Sequence, residues 1–87
     1  MTSFELEAVT MSGVKFEGKV TKVIVRTVEG DVCILGSHTD YAAPIGRGKA
    51  KIVTEDGREI NAYAEGGFIS VRGDRTRIIA TKFDIEE

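Results

Sequence analysis

Residues 33 to 41, CILGSHTDY, hold the only cysteine and the only histidine of the chain, five positions apart. Asp40 follows the histidine, and the only proline, Pro44, comes shortly after the segment. Elsewhere such residues do chemistry. A thiolate beside a histidine base is a nucleophile, and a carboxylate orients the base. Cysteine and histidine also bind zinc, but a zinc site wants three or four ligands at set spacings. Neither arrangement is completed here. No serine in a strained elbow awaits a base, and Asp40 shares a face with His38 only if that loop is extended. Cys33 sits in the apolar run VCIL without a neighbouring lysine or arginine to lower its pKa. It reads as a small buried hydrophobe. We therefore expect no catalytic residue, no metal and no cofactor, and read His38 as a loop side chain facing solvent or a partner.

Three other groups could carry function. Glu29, Gly30 and Asp31 form a turn with two carboxylates around a glycine. Taken alone, this is a solvated turn; its functional reading is an acidic tip meeting a basic or polar loop. Arg72-Gly73-Asp74 spells an adhesion tripeptide but lies where two strands need a turn. Arg72, Arg75 and Arg77, like Lys15, Lys19 and Lys22, are interspersed with acids and read as charged faces that keep strand edges from pairing.

The elements that hold these residues follow a period of two. Phe4, Leu6 and Ala8 alternate with Glu5 and Glu7, as in a half-buried strand. Phe16 and Val20 share one phase, whereas Val23 and Val25 share the other. That slip predicts a bulge or break, because one extra residue exchanges the buried face. Ala50, Ile52 and Thr54 share a face, as do Ile60, Ala62 and Ala64. Asp56-Gly57 is a strong hairpin signal, and Gly73-Asp74 marks another turn. No segment keeps a capped helical stripe. Seven or more short strands, with turns roughly every eight to twelve residues, read as an all-β sandwich or barrel.

Eighty-seven residues make one domain, 1–87. A chain this short buries a little over ~60% of its unfolded surface and has little room for an enclosed cleft. The net charge of −2 lacks the clustered basic surface that nucleic acid rewards. The six aromatics fall mostly in core-like phase, against a single-strand-binding face. No signal peptide and no apolar window of membrane-spanning length is present.

Taken in order, these motifs resemble the N-terminal β-sandwich of the epsilon subunit of F-type ATP synthases. The resemblance rests on FELEAVTMSGVKFEGKV, then EGDVCILGSH, then GGFISV. Phe4, Leu6, Val9 and Thr10 match the family's opening strand, and Gly13, Phe16, Gly18 and Val20 its second block. Glu29, Gly30, Asp31, Ile34, Leu35 and His38 match the next block in order and spacing. Gly57, Gly66, Gly67, Phe68 and Val71 match the later hairpin and strand. The resemblance implies a flattened two-sheet sandwich of about ten short, mostly antiparallel strands.

It also implies a non-catalytic rotor subunit. Such a subunit joins the gamma subunit to the membrane c-ring and meets the alpha/beta catalytic head only through the assembled complex. It would couple ion translocation to ATP synthesis without a cofactor, nucleic acid or membrane insertion. It would lie at the cytoplasmic face of a bacterial inner membrane, or alternatively at a chloroplast thylakoid. The implied gamma contacts are Thr10, His38, Thr39, Tyr41 and Ala43. The implied c-ring contacts are Glu29, Gly30 and Asp31. The competing reading is a free-standing β-domain acting as a binding adaptor.

The chain departs from the family in several places, the first being Met11, where members often carry proline. Gly36, Ser37, Thr39 and Asp40 stand in a loop where members often carry a Pro-Gly-His-Ala-Pro run, and Cys33 replaces a usual glycine. The sequence also ends at Glu87, after its last strand, where typical members continue into a two-helix hairpin. A natural short form would lack the hairpin's brake on hydrolysis and its ATP sensing.

Overall fold

The computed structural model describes residues 2–36 and 40–86. Nine strands are present among them: β1 (Phe4–Thr10), β2 (Gly13–Thr27), β3 (Gly30–Leu35), β4 (Tyr41–Pro44), β5 (Arg47–Thr54), β6 (Glu59–Glu65), β7 (Phe68–Arg72), β8 (Arg75–Ile79) and β9 (Lys82–Glu86). No helix occurs among the described residues, so none there is long and apolar enough to cross a membrane.

The strands form one hydrogen-bonded path, β4-β7-β8-β1-β2-β5-β6-β9, with β3 also paired to β2. The long β2 makes this path two layers. Its first half, from Gly13 to Val20, pairs with β1, whereas Lys22 to Thr27 pair with β3 and Val20 to Ile24 with β5. The register shifts between Val20 and Lys22, where the sequence predicted a change of phase. Val20, Thr21, Val23 and Val25 are all buried across this step. The extra residue lets one strand turn its apolar face inward twice, once for each layer. Because β2 serves both layers, nine strands do the work of the expected ten. All pairings are antiparallel except β1 with β8.

Both layers contribute to one core. β1, β7 and β8 supply Leu6, Ile69 and Ile78, and the other layer supplies Ile34, Ile52 and Phe83. The expected faces of β1, β5 and β6 are observed: Phe4, Leu6, Ala8, Ala50, Ile52, Ala62 and Ala64 are buried. Two aromatics depart from expectation. Phe68 is exposed. Phe16 is only partly buried at the margin of the core, its ring 3.7 Å from where a side chain on Gly18 would begin. The cost of truncating Phe16 therefore falls below that of a fully enclosed ring.

Thr76 lies wholly within this core, and its hydroxyl oxygen has no hydrogen-bond partner. A buried hydroxyl without a partner costs about 1–3 kcal/mol, and valine has nearly the same shape. We expect Thr76→Val to raise the melting temperature by roughly 5 °C in a thermal scan, since 1 kcal/mol is worth about 4–8 °C at this size. A lowered melting temperature would mean that an internal water satisfies the hydroxyl.

Candidate functional site

The described residues among the expected contacts distribute over two turns and one edge strand. The first turn joins β2 to β3. Thr27, almost fully buried, staples it: its hydroxyl donates to the Gly30 carbonyl at 2.7 Å and accepts from the Glu29 amide at 3.1 Å. Gly30 has φ 119°, a region that disfavours a side chain. The turn is also tied to the junction between β4 and β5, because the Val28 amide donates to the Pro44 carbonyl and the Gly46 amide to that of Arg26. Glu29 and Asp31 are thus presented on a fixed tip.

The tip is not simply acidic. Arg26 Nε donates to Asp31 Oδ1 at 2.6 Å, with both side chains about half exposed. This hydrogen bond, and then the Asp31 charge, raise the Arg26 guanidinium above its ordinary pKa. It is protonated at any physiological pH in either case. The pairing follows from the turn: Val28 and Glu29 form the tip, so Arg26 faces Asp31 across the hairpin.

The second turn, between β1 and β2, carries Thr10, whose hydroxyl accepts from the Ser12 amide at 3.1 Å. Tyr41 and Ala43 are on β4, paired with Val71 and Ile69 of β7. Ala43 faces the core at 9% exposure, so the outward positions beside it are Ala42 and Pro44. Tyr41 is partly buried against the core. Thr10 and β4 are separated by β8 and β7, a span of about 14 Å at strand spacing. His38 and Thr39 lie outside the described residues. Asp40, at the far side of that loop, accepts from the Gly73 amide at 3.0 Å and so fastens the chain to the Arg72-Gly73-Asp74 turn.

Cys33 is not the buried hydrophobe expected from its apolar neighbours. It is exposed on the outer side of β3, where it pairs with Ile24, while Ile34 turns inward. Among the described residues, no group of three or more histidine, cysteine, aspartate or glutamate side chains could hold a metal ion. The arginines of β8, Arg75 and Arg77, lie opposite Glu5 and Glu7 of β1, with Arg77 Nη2 2.9 Å from Glu7 Oε1, whereas Arg72 of β7 pairs with Arg75. What the geometry offers is turns fixed by hydrogen bonds on a strand scaffold.

Comparison with known proteins gives a consistent result. Residues 3–84 match the model of the family described as ATP synthase, Delta/Epsilon chain, beta-sandwich domain. The ATP synthase epsilon chain of Brevibacillus brevis is 32% identical over 80 residues, which cover 92% of this chain and 61% of the relative. That of Micrococcus luteus is 38% identical over 81 residues, covering 93% of this chain and 89% of the relative. Compared with the Brevibacillus protein, this chain spans about three-fifths of the relative's length; the Micrococcus protein is itself little longer than the sandwich. Among solved structures, a chain of the Euglena gracilis mitochondrial ATP synthase (an OSCP/F1/c-ring assembly) superposes with a TM-score of 0.89 at 18% identity. It covers 98% of this chain and 54% of that one, and establishes the likeness of fold.

Proposed function

We propose a function from one premise: this chain belongs to the β-sandwich family of ATP synthase delta/epsilon chains. It acts as a non-catalytic rotor subunit that joins the gamma subunit to the c-ring and couples ion translocation to ATP synthesis. It sits peripherally, at the cytoplasmic face of the energy-transducing membrane. The observation that carries this reading is the family match over residues 3–84, nearly the whole sandwich. The fixed geometry of the turns is in keeping with it. A joint that transmits torque needs contacts that do not give, and stapled turns on strands supply them.

In this reading the 29–31 turn meets a polar loop of the c-ring, and Thr10 and the 38–43 segment meet gamma. Co-expression with the gamma subunit of the same genome, followed by native mass spectrometry, tests the assignment. A one-to-one complex supports it; a folded chain that forms none rejects it.

Asp31 gives a sharper expectation. Asp31→Lys removes an exposed ion pair that solvent screens, so the melting temperature should move by only a few degrees. At the tip it sets a lysine against Arg26 and reverses the charge offered to the ring. We expect ion-driven ATP synthesis in reconstituted enzyme to fall severalfold while the fold persists. Unchanged synthesis would show that the tip does not carry the contact; a large loss of stability would show that Asp31 is structural.

A further inference from the structure

Ser70, Arg72, Arg75 and Arg77 stand together on the outer surface of β7 and β8. Ser70 pairs with Arg77, and Arg72 with Arg75. All four are exposed, whereas Ile69, Val71, Thr76 and Ile78, which alternate with them, are buried. Directly opposed side chains begin about 5 Å apart, and alternate residues of one strand about 7 Å apart. The four side chains therefore mark the corners of a small patch, and they line a shallow depression of about 230 Å3.

In sequence these arginines read as guards of a strand edge, and the topology removes that explanation. β7 lies between β4 and β8, and β8 between β7 and β1, so neither strand has a free edge to protect. Nor does the arrangement serve stability. Like charges directly across a strand pair repel, and among the described residues no ion pair relieves Arg72 or Arg75. Glu5 is opposite Arg75 on β1 without forming one, and Asp40 is engaged by the Gly73 amide. Arg77 differs. Its Nε and Nη2 both lie 2.9 Å from Glu7 Oε1, which fixes the guanidinium and leaves its remaining donors free. One oriented guanidinium, two unpaired ones and a hydroxyl thus share a single depression.

Grouped guanidinium ions select a multivalent oxyanion. The planar fork of arginine matches phosphate oxygens in paired hydrogen bonds, and the serine hydroxyl supplies a further donor. A phosphate ester carries about −1.5 to −2 charges near neutral pH, enough to neutralise the opposed Arg72–Arg75 pair, which a single carboxylate is not. We infer that Ser70, Arg72, Arg75 and Arg77 form a binding site for a phosphate-bearing anion. Arg72 and Arg75 hold its charge, and Arg77, steadied by Glu7, sets its orientation. This site is independent of the rotor reading and goes beyond it.

The test is calorimetric titration of the full chain with inorganic pyrophosphate at constant ionic strength. We expect the parent to bind, and the double variant Arg72→Gln, Arg75→Gln to bind at least about tenfold more weakly, since each lost hydrogen bond is charge-assisted. The control Lys15→Gln, Lys49→Gln removes the same charge at exposed positions elsewhere and should bind as the parent does. A thermal scan gives a second readout. Without anion the arginine variant should melt no lower than the parent, because the repulsion is relieved. Pyrophosphate should raise the melting temperature of the parent and leave that of the variant unchanged. Flotation with vesicles of phosphatidylcholine and phosphatidylglycerol separates two sources of the same chemistry. Capture that the arginine variant loses assigns the site to a lipid phosphate; pyrophosphate binding without capture assigns it to a soluble one. The inference fails if the parent binds neither probe, if the arginine variant binds as tightly as the parent, or if the lysine control weakens equally. It fails also if the arginine variant melts well below the parent, which would make the arginines structural.

Discussion

Replacing Gly67 by alanine is expected to leave the chain largely unfolded at physiological temperature. Gly67 follows Gly66 at the corner between β6 and β7, with φ 96° and 70° respectively. A β-carbon on Gly67 would collide with the Ile79 carbonyl oxygen and lie 2.8 Å from Ala80 Cα. Those atoms are backbone, so no side chain can rotate away. The corner also ties elements together: the Ile45 amide donates to the Gly67 carbonyl, the Gly66 amide to that of Gly46, and the Thr81 amide to that of Glu65. Moving Gly67 disturbs β4, β7 and β8 together. Strain and collision of this kind belong to the exceptional class that costs roughly 4 kcal/mol or more. A small domain has on the order of 5–10 kcal/mol in total. The expected fall in melting temperature is about 20 °C or more. A fall below about 5 °C would show that the corner relaxes and that the close approach is not essential. Gly57 makes the contrast, since a β-carbon there meets nothing within 4 Å despite φ 90°. Gly57→Ala should cost only its backbone strain, about 1–2 kcal/mol.

What the sequence revealed was local. Alternation in β1, β5 and β6, the hairpins at Asp56-Gly57 and Gly73-Asp74, and the change of phase after Val20 each depend on residues within one strand or turn. Binary pattern and turn chemistry report such features directly. What it concealed was register between distant strands. Nothing in the chain order places Arg72 and Arg75 inside a sheet; only the pairing of β4 with β7 and of β1 with β8 does. Phe68 carried a local clue to its exposure. It shares a phase with Ser70, whereas Ile69 and Val71 form the buried set. Cys33 misled for a similar reason, because an apolar run on an edge strand still alternates. The Arg26–Asp31 pair was readable in principle, from a two-residue tip that sets those positions opposite each other.

The same reasoning identifies the residue on which the last strand depends. Phe83 is the largest fully enclosed side chain, 1% exposed, and it pairs with Ala64. β9 is an edge strand whose remaining apolar side chain, Ile85, is 39% exposed. One ring therefore supplies most of the apolar burial that holds five residues to the sandwich. Its strand partners are small, with Ala62 and Ala64 on the facing strand, so they offer little to collapse into the space it leaves. Phe83→Ala should cost about 3–5 kcal/mol, toward the upper end for that reason. Ile85→Ala should cost clearly less. Hydrogen exchange separates loss of the strand from loss of the fold. If β9 detaches first, the backbone amides of β9 and their partners on β6 lose protection ahead of those of β1 and β2. Uniform loss would mean that Phe83 holds the two layers together rather than the edge alone. A melting temperature within about 4 °C of the parent would contradict both, and would place the weight of the core on the β1, β7 and β8 layer.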